Sequence, residues 1–170
     1  MTPEQFTALL DTAARSVFRY EALQDYAMPA EDASVVAFRT GRSRPERSVR
    51  TSPWLRRIAV QTAAGIDWSR VRVITWPLTE YTRWELIGYV ESQAAGEAIS
   101  VVGDDLAVGV PDFWLVDESR AVLMNYEPDG RLVDRVLVTD PAEVAELADV
   151  AARLRAAGQS LNEFLARTDV

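Results

Sequence analysis

DFWLVDESRAVLMNYEPDGRLVDRVLV, residues 112–138, decides the fold class. It holds three runs rich in β-branched and aromatic residues, Phe113–Val116, Ala121–Tyr126 and Leu132–Val138. Between them lie Asp117-Glu118-Ser119-Arg120 and Pro128-Asp129-Gly130, whose residues favour tight turns. With a further strand-like run at Ala98–Val102, the pattern predicts an antiparallel meander in the C-terminal half. Helical patterns lie on both sides of this block, so the expected class is α+β, an antiparallel sheet packed with helices from both ends of the chain. A length of 170 residues suits a single domain, 1–170, with one core.

Outward from that block, the helices announce themselves by their caps. Thr2-Pro3-Glu4-Gln5 carries a hydroxyl cap, Pro at the first helical position and Gln three residues after the cap, followed by Phe6, Leu9, Leu10 and Ala13 at helical spacing. Ser52-Pro53 opens a second helix with Trp54, Leu55, Ile58 and Ala59 on one face, and Gly65 as its stop. Thr79 caps a helix from Glu80 to about Ala95, closed by Gly96. From Pro141, Val144, Leu147, Val150, Ala151 and Leu154 keep helical period to a break at Gly158, with a short last helix beyond. Glu31 to Arg39 reads as a short helix, Val17 to Leu23 as a strand, and Gly41 to Ser52 as a loop. Val71 and Val73 alternate with Arg70 and Arg72, which predicts a strand with one buried face.

Composition excludes much familiar chemistry. There is no Cys and no His, and all 18 basic residues are Arg, because the chain contains no Lys. Ser-His-Asp hydrolysis, thiolate catalysis, His/Cys zinc sites, Schiff-base lysines and Walker-type phosphate lysines are therefore unavailable from these residues. Any catalysis must use Asp, Glu, Tyr, Arg, Ser or Thr. No carboxylate-rich loop has regular ligand spacing, so no metal site and no cofactor are expected, and Asp112 and Asp117 read as turn formers. The N-terminus has neither a basic nor an apolar leader region, and no uncharged apolar run reaches the roughly 18 residues of a membrane span, so a cytoplasmic location is expected. Arg without Lys, with abundant Ala, Val, Asp and Leu, is the bias of a genome rich in G and C and points to an actinomycete-like bacterium.

Charge is segregated along the chain. Seven Arg and one acid lie between Arg39 and Arg57, while twelve acids and three Arg lie between Asp104 and Val150. The basic segment either faces water and the acidic hairpins, or binds phosphate, nucleic acid or an acidic partner, since a guanidinium fork suits phosphate and carboxylate bidentately. A net charge of −8 argues against general DNA binding.

The second pointed feature is Tyr81-Thr82-Arg83-Trp84-Glu85-Leu86-Ile87-Gly88-Tyr89, near Arg70 and Arg72 on the preceding strand. Tyr81, Glu85 and Tyr89 recur every four residues and share one helix face. In a structural reading they belong to an Arg–Glu network inside a partly polar core. In a functional one, Arg72 and Arg83 bind an anionic group in a cleft while Glu85 or Tyr81 moves a proton, a residue palette comparable with that of some small RNA-cleaving toxins.

Together the segments Phe18-Arg19-x-Glu21-x-Leu23-x-x-Tyr26, Arg72-Val73, Pro77-Leu78-Thr79-x-Tyr81-x-Arg83-Trp84-Glu85-Leu86, Tyr89, Gly96-Glu97-x-Ile99, Asp112-Phe113-Trp114-Leu115-x-Asp117 and Asp129-Gly130 resemble a family of small actinomycete proteins. That family forms a domain of unknown function and is often encoded beside helix-turn-helix regulators. The resemblance covers roughly residues 16 to 155, and the tail after Gly158 goes beyond the pattern. It implies an α+β architecture and marks Arg19, Glu21, Arg72, Tyr81, Arg83 and Glu85 as a polar signature, without implying an activity. The functional expectation is an accessory or binding protein that engages a protein partner, such as a regulator, or a small anionic ligand, with Arg19, Glu21, Arg72 and Arg83 as binding residues. The alternative is an enzyme acting on RNA or a phosphorylated substrate, with Glu85 and Tyr81 as candidate acid–base groups and arginines stabilising charge.

Overall fold

The computed structural model describes residues 1–28, 32–107 and 109–168. In chain order these form α1 (Pro3–Asp11), β1 (Ser16–Glu21), α2 (Asp32–Arg39), α3 (Pro53–Ala63), β2 (Asp67–Ile74), α4 (Glu80–Ala94) and β3 (Ala98–Gly103). They continue with β4 (Asp112–Val116), β5 (Arg120–Tyr126), β6 (Leu132–Val138), α5 (Pro141–Ala157), β7 (Gln159–Ser160) and α6 (Leu161–Leu165). The caps read from sequence are in place: the side chains of Thr2, Ser52 and Thr79 accept from backbone N–H groups in the first turns of α1, α3 and α4, and Asp140 does the same for α5. The helix expected from Glu31 is present from Asp32, residue 31 lying outside the described residues.

The described strands make one sheet in the order β6-β5-β4-β1-β2-β3-β7. It is mixed, which corrects the expectation of an antiparallel sheet. β1, β2 and β3 are parallel neighbours because helices carry the chain back to the same sheet end between them, α2 and α3 after β1 and α4 after β2. β4, β5 and β6 are joined by tight turns and form an antiparallel meander. β3, expected as its first strand, lies across the sheet between β2 and β7, and β4 pairs with β1 instead.

Register fixes what each face carries. On one face Phe18 and Tyr20 of β1, Val71 and Val73 of β2, and Phe113 and Leu115 of β4 meet Val144, Leu147, Val150 and Leu154 of α5 in an apolar core. The other face is covered by α1, α3 and α4. At one end it packs Val17, Trp68, Trp114 and Val122 against Leu9, Leu10, Leu55 and Ile58. In the middle of the sheet that same face carries charge: Arg19 is in register with Arg70 and Trp114, and Glu21 with Arg72. The alternation of Val71 and Val73 with Arg70 and Arg72 therefore does not mark one buried and one wet face. Both faces are covered, and Arg72 is 0% exposed.

The β4–β5 turn is closed by Asp117 and Glu118, both at positive φ. Asp117 does the turn work expected of it and more, since its carboxylate accepts from the backbone N–H groups of Ala14, Arg15 and Ser16 at 2.7–3.1 Å, tying α1 to the sheet. Asp112 is no turn former; it begins β4 and is buried. Asp117→Ala is expected to destabilise the protein by about 2 kcal/mol, the scale of part-buried hydrogen bonds to a charged acceptor. Asp117→Asn, which tolerates the positive φ, should lose less. Urea unfolding reads both, and equal midpoints for wild type and Asp117→Ala would contradict this role.

Candidate functional site

Four charged side chains enter one space because β1 and β2 are parallel and in register: Arg19 and Glu21 from β1, Arg70 and Arg72 from β2. The carboxylates that neutralise them come from elsewhere, Glu85 from α4, Glu97 from the turn after it, and Asp112 from β4. Glu21 is the hub. It accepts from Arg70 Nη1 at 2.5 Å, Arg19 Nε at 3.1 Å and the Tyr89 hydroxyl at 2.6 Å. Arg70 Nε also donates to Glu97 at 3.0 Å. Arg72 Nε donates to Glu85 at 2.8 Å and its Nη1 to the Leu23 carbonyl at 2.6 Å. Arg19 Nη2 donates to Asp112 at 3.0 Å and to the Tyr126 hydroxyl at 3.3 Å, while the Tyr26 hydroxyl donates to Asp112 as well.

Burial acts on each acid according to its partners. Burial alone would raise Glu21, but Arg70, Arg19 and Arg72 together hold it well below the ordinary carboxylate range. Glu85 faces a weaker cation field: burial, opposed by Arg72 and reinforced by the charge on Glu21, pushes it up to about 7. Burial raises Glu97 in the same direction against Arg70. Tyr26 and Tyr89 are pushed up by burial too, so their hydroxyls remain donors.

Over this network lies a cavity of about 410 Å³. Its floor includes Arg19, Glu21, Arg70 and Glu85. Tyr26, Tyr81, Trp84 and Tyr89 line one part, and Phe6, Trp54, Trp114 and Tyr126 another. Arg44, Arg47 and Arg135 complete it. The loop between α2 and α3 is held against α4 by Arg47, whose Nη1 donates to the Gly88 carbonyl at 3.0 Å and to Glu91 at 2.9 Å, and by Arg44, 3.7 Å from Glu91. The basic segment thus neither folds onto the acidic hairpins nor faces water throughout; part of it borders the cavity. A larger depression of about 790 Å³ lies by α5, lined by Val110, Leu123 and Val138 with Glu143, Glu146 and Asp149, but it holds none of the buried charges.

Not every donor in the network is matched. Arg19 Nη1, Arg72 Nη2 and Arg135 Nε are buried without a hydrogen-bond partner among the described residues, and so is Glu97 Oε2. Buried polar groups are nearly always bonded, so each such atom calls for an explanation.

The chain belongs to a family described as a domain of unknown function (DUF6879). The family model matches residues 4–166, so α6 and the segment after Gly158, which the sequence motifs left outside the resemblance, lie within the family. A search of curated proteins finds no match. Among the described residues of this DUF6879 chain no helix is long and apolar enough to cross a membrane, and no cluster of three His, Cys, Asp or Glu is arranged to hold a metal ion.

The structure brings Arg19, Glu21, Arg72 and Glu85 into one network. Arg72 lies beneath the cavity and is not among the described residues that line it. Tyr81 lines the cavity; Arg83, half-buried on α4, does not. Sequence reasoning missed the site roles of Arg70, Glu97, Asp112, Tyr126, Arg44, Arg47 and Arg135. Glu97 and Asp112 stood inside the recognised motifs, and Arg70 stood two residues before Arg72, but Arg135 carried no local signal.

Stability should report the Glu85 environment. Unfolded, this group ionises near 4.5, and folded near 7, so the fold holds its proton more tightly. The stability it contributes is complete below pH 4.5 and is lost as pH rises through 7. Glu97 acts in the same direction, whereas the depressed Glu21 contributes stability above its unfolded value and loses it only in more acidic solution. Unfolding free energy is therefore expected to decline between pH 5 and 8, and Glu85→Gln should flatten the decline. Urea unfolding at four pH values checks this, and an unchanged slope in the variant would contradict it.

Proposed function

We propose that this chain is a binding protein that takes a small anionic ligand in the arginine-floored cavity and reports it to a protein partner. The observation that carries this is Arg19. It lines the cavity, is 2% exposed, is held rigidly by Glu21 and Asp112, and still has one terminal nitrogen without an acceptor among the described residues. A fixed guanidinium lining a space bordered by Arg44, Arg47 and Arg135, with its unmatched nitrogen shielded from solvent, is pre-organised for an acceptor supplied from outside. Arg42, Arg50 and Arg56, exposed on the same basic segment, supply a surface for an acidic partner, a transcriptional regulator in the simplest version.

Arg44 and Arg135 border the site outside the Glu21 network, and Arg47 keeps the α2–α3 loop on Glu91 and Gly88 when Arg44 is changed. Isothermal titration with inorganic phosphate, sulfate and citrate is expected to find at least one binder. Arg135→Ala and Arg44→Ala should each weaken it about tenfold, or about 1.4 kcal/mol, with unchanged circular dichroism. Equal affinity in wild type and both variants would remove the cavity from the binding site.

One observation favours an enzyme as the second reading. Glu85, at about 7, lines the same cavity beside fixed cations, a suitable setting for proton transfer to or from RNA or a phosphorylated substrate. In that case wild type cleaves RNA or a phosphoester and Glu85→Gln keeps binding but loses turnover. Equal behaviour of the two proteins in such assays would leave the binding reading in place.

A further inference from the structure

We infer that the ligand is an aromatic phosphate of nucleotide size, a planar ring system carrying a dianionic head. The inference rests on the anionic-ligand reading above and adds to it a ring and a charge.

The ring follows from the walls. Eight of the chain's 15 aromatic residues line this one cavity, drawn from α1, α3, α4, β4, β5 and the segment after β1. Tyr26, Tyr81, Trp84, Tyr89 and Trp114 pack in the core and also border this space. They are braced against each other, Trp114 edge-to-face with Phe6 at 5.5 Å and with Trp54 at 5.6 Å, and Tyr81 5.2 Å from Trp84. Rigid, mutually supported rings are the surfaces on which a flat ligand stacks with little ordering cost, each contact contributing about 1–3 kcal/mol in base-binding proteins. At about 410 Å³ the cavity is near the lower end of the range for small-molecule sites and holds one compact ligand.

The charge follows from the rim. Glu91 is the one acid within ion-pair distance of Arg44, Arg47 and Arg135 among the described residues, and the exposed Glu4 acts on Arg135 from farther off, so the rim keeps a positive surplus approaching two. A phosphate near neutral pH carries about that charge, and a carboxylate carries half of it. Of the three arginines with an unmatched donor, the two that line the cavity each sit by one ring of the Trp114–Phe6 pair: the Arg19 guanidinium is 5.2 Å from the Trp114 ring and that of Arg135 is 5.8 Å from the Phe6 ring. Both arginines line the cavity, so a ligand lying along that pair has a guanidinium near each ring. Ser34 also lines the cavity, accepting from Trp84 Nε1 at 3.0 Å and Arg44 Nε at 3.3 Å, and among the described residues no acceptor takes its own hydroxyl hydrogen, which can donate to a ring nitrogen or a phosphate oxygen.

Trp54, Trp84 and Trp114 all border the cavity, so their fluorescence reports occupancy directly. Titrations should use adenosine 5′-monophosphate, guanosine 5′-monophosphate and 1-naphthyl phosphate against ribose 5-phosphate, inorganic phosphate and 1-naphthoate. At least one aromatic phosphate is expected to bind tenfold or more tighter than ribose 5-phosphate and inorganic phosphate, and 1-naphthyl phosphate tighter than 1-naphthoate. Trp84→Phe should keep most of the advantage and Trp84→Leu lose it, while binding of inorganic phosphate stays the same in both. If ribose 5-phosphate or inorganic phosphate matches the aromatic phosphates, the ring is wrong and the anion reading stands. If 1-naphthoate matches 1-naphthyl phosphate, the dianionic head is wrong. If none of the six binds, both the inference and the reading beneath it fail.

Discussion

The Glu21 carboxylate, held by Arg70, Arg19 and Tyr89, is the interaction on which the rest of the structure depends. Two parallel strands in register place Arg19 beside Arg70 in the middle of a covered sheet face, where like charges would repel and both are largely withdrawn from water. Desolvating such cations is costly unless excellent geometry and further hydrogen bonds offset it. The chain meets that condition by converging carboxylates from three other places: Glu85 from α4, Glu97 from the turn that closes α4, and Asp112 from the first residue of β4. Removing one member would strand its neighbours, so the network fixes where α4 and β4 must sit.

That constraint also explains the empty volume above it. A face carrying fixed charges cannot be sealed by aliphatic side chains as the α5 face is; it is roofed by aromatic rings and by arginines from the basic segment. Rings tolerate the guanidinium faces below, with Arg70 5.0 Å from the Tyr89 ring and Arg72 5.5 Å from that of Tyr26. What results is a polar floor with directional donors, apolar walls and a basic rim. The charged network itself is built from Arg, Glu, Asp and Tyr, without His, Lys or Cys.

Much of the architecture was legible because its signals are local. Thr2, Ser52 and Thr79 each announce a helix start, and Pro128-Asp129-Gly130 a hairpin, within a few residues of chain. Strand order was not, because nothing in residues 98–103 says that β3 pairs in parallel with β2 rather than leading the meander. The period-2 pattern of β2 misled for a physical reason: alternation reports polarity, and polarity equals exposure only when the polar partners are missing. Motif residues Glu21 and Glu85 could be singled out as polar positions on apolar elements. Arg135, on a strand whose neighbours are largely exposed, looked like any surface arginine until the sheet brought it beside Phe6.

The central claim is that the space over the Glu21 network is a ligand site and not an imperfectly filled core. Nuclear magnetic resonance of the arginine guanidinium groups tests it most directly, recorded while 1-naphthyl phosphate is added. The account expects the signals of Arg19 and Arg135 to move together and saturably, with exposed Arg50 unaffected. Movement confined to Arg42, Arg50 and Arg56, with Arg19 unchanged, would contradict it.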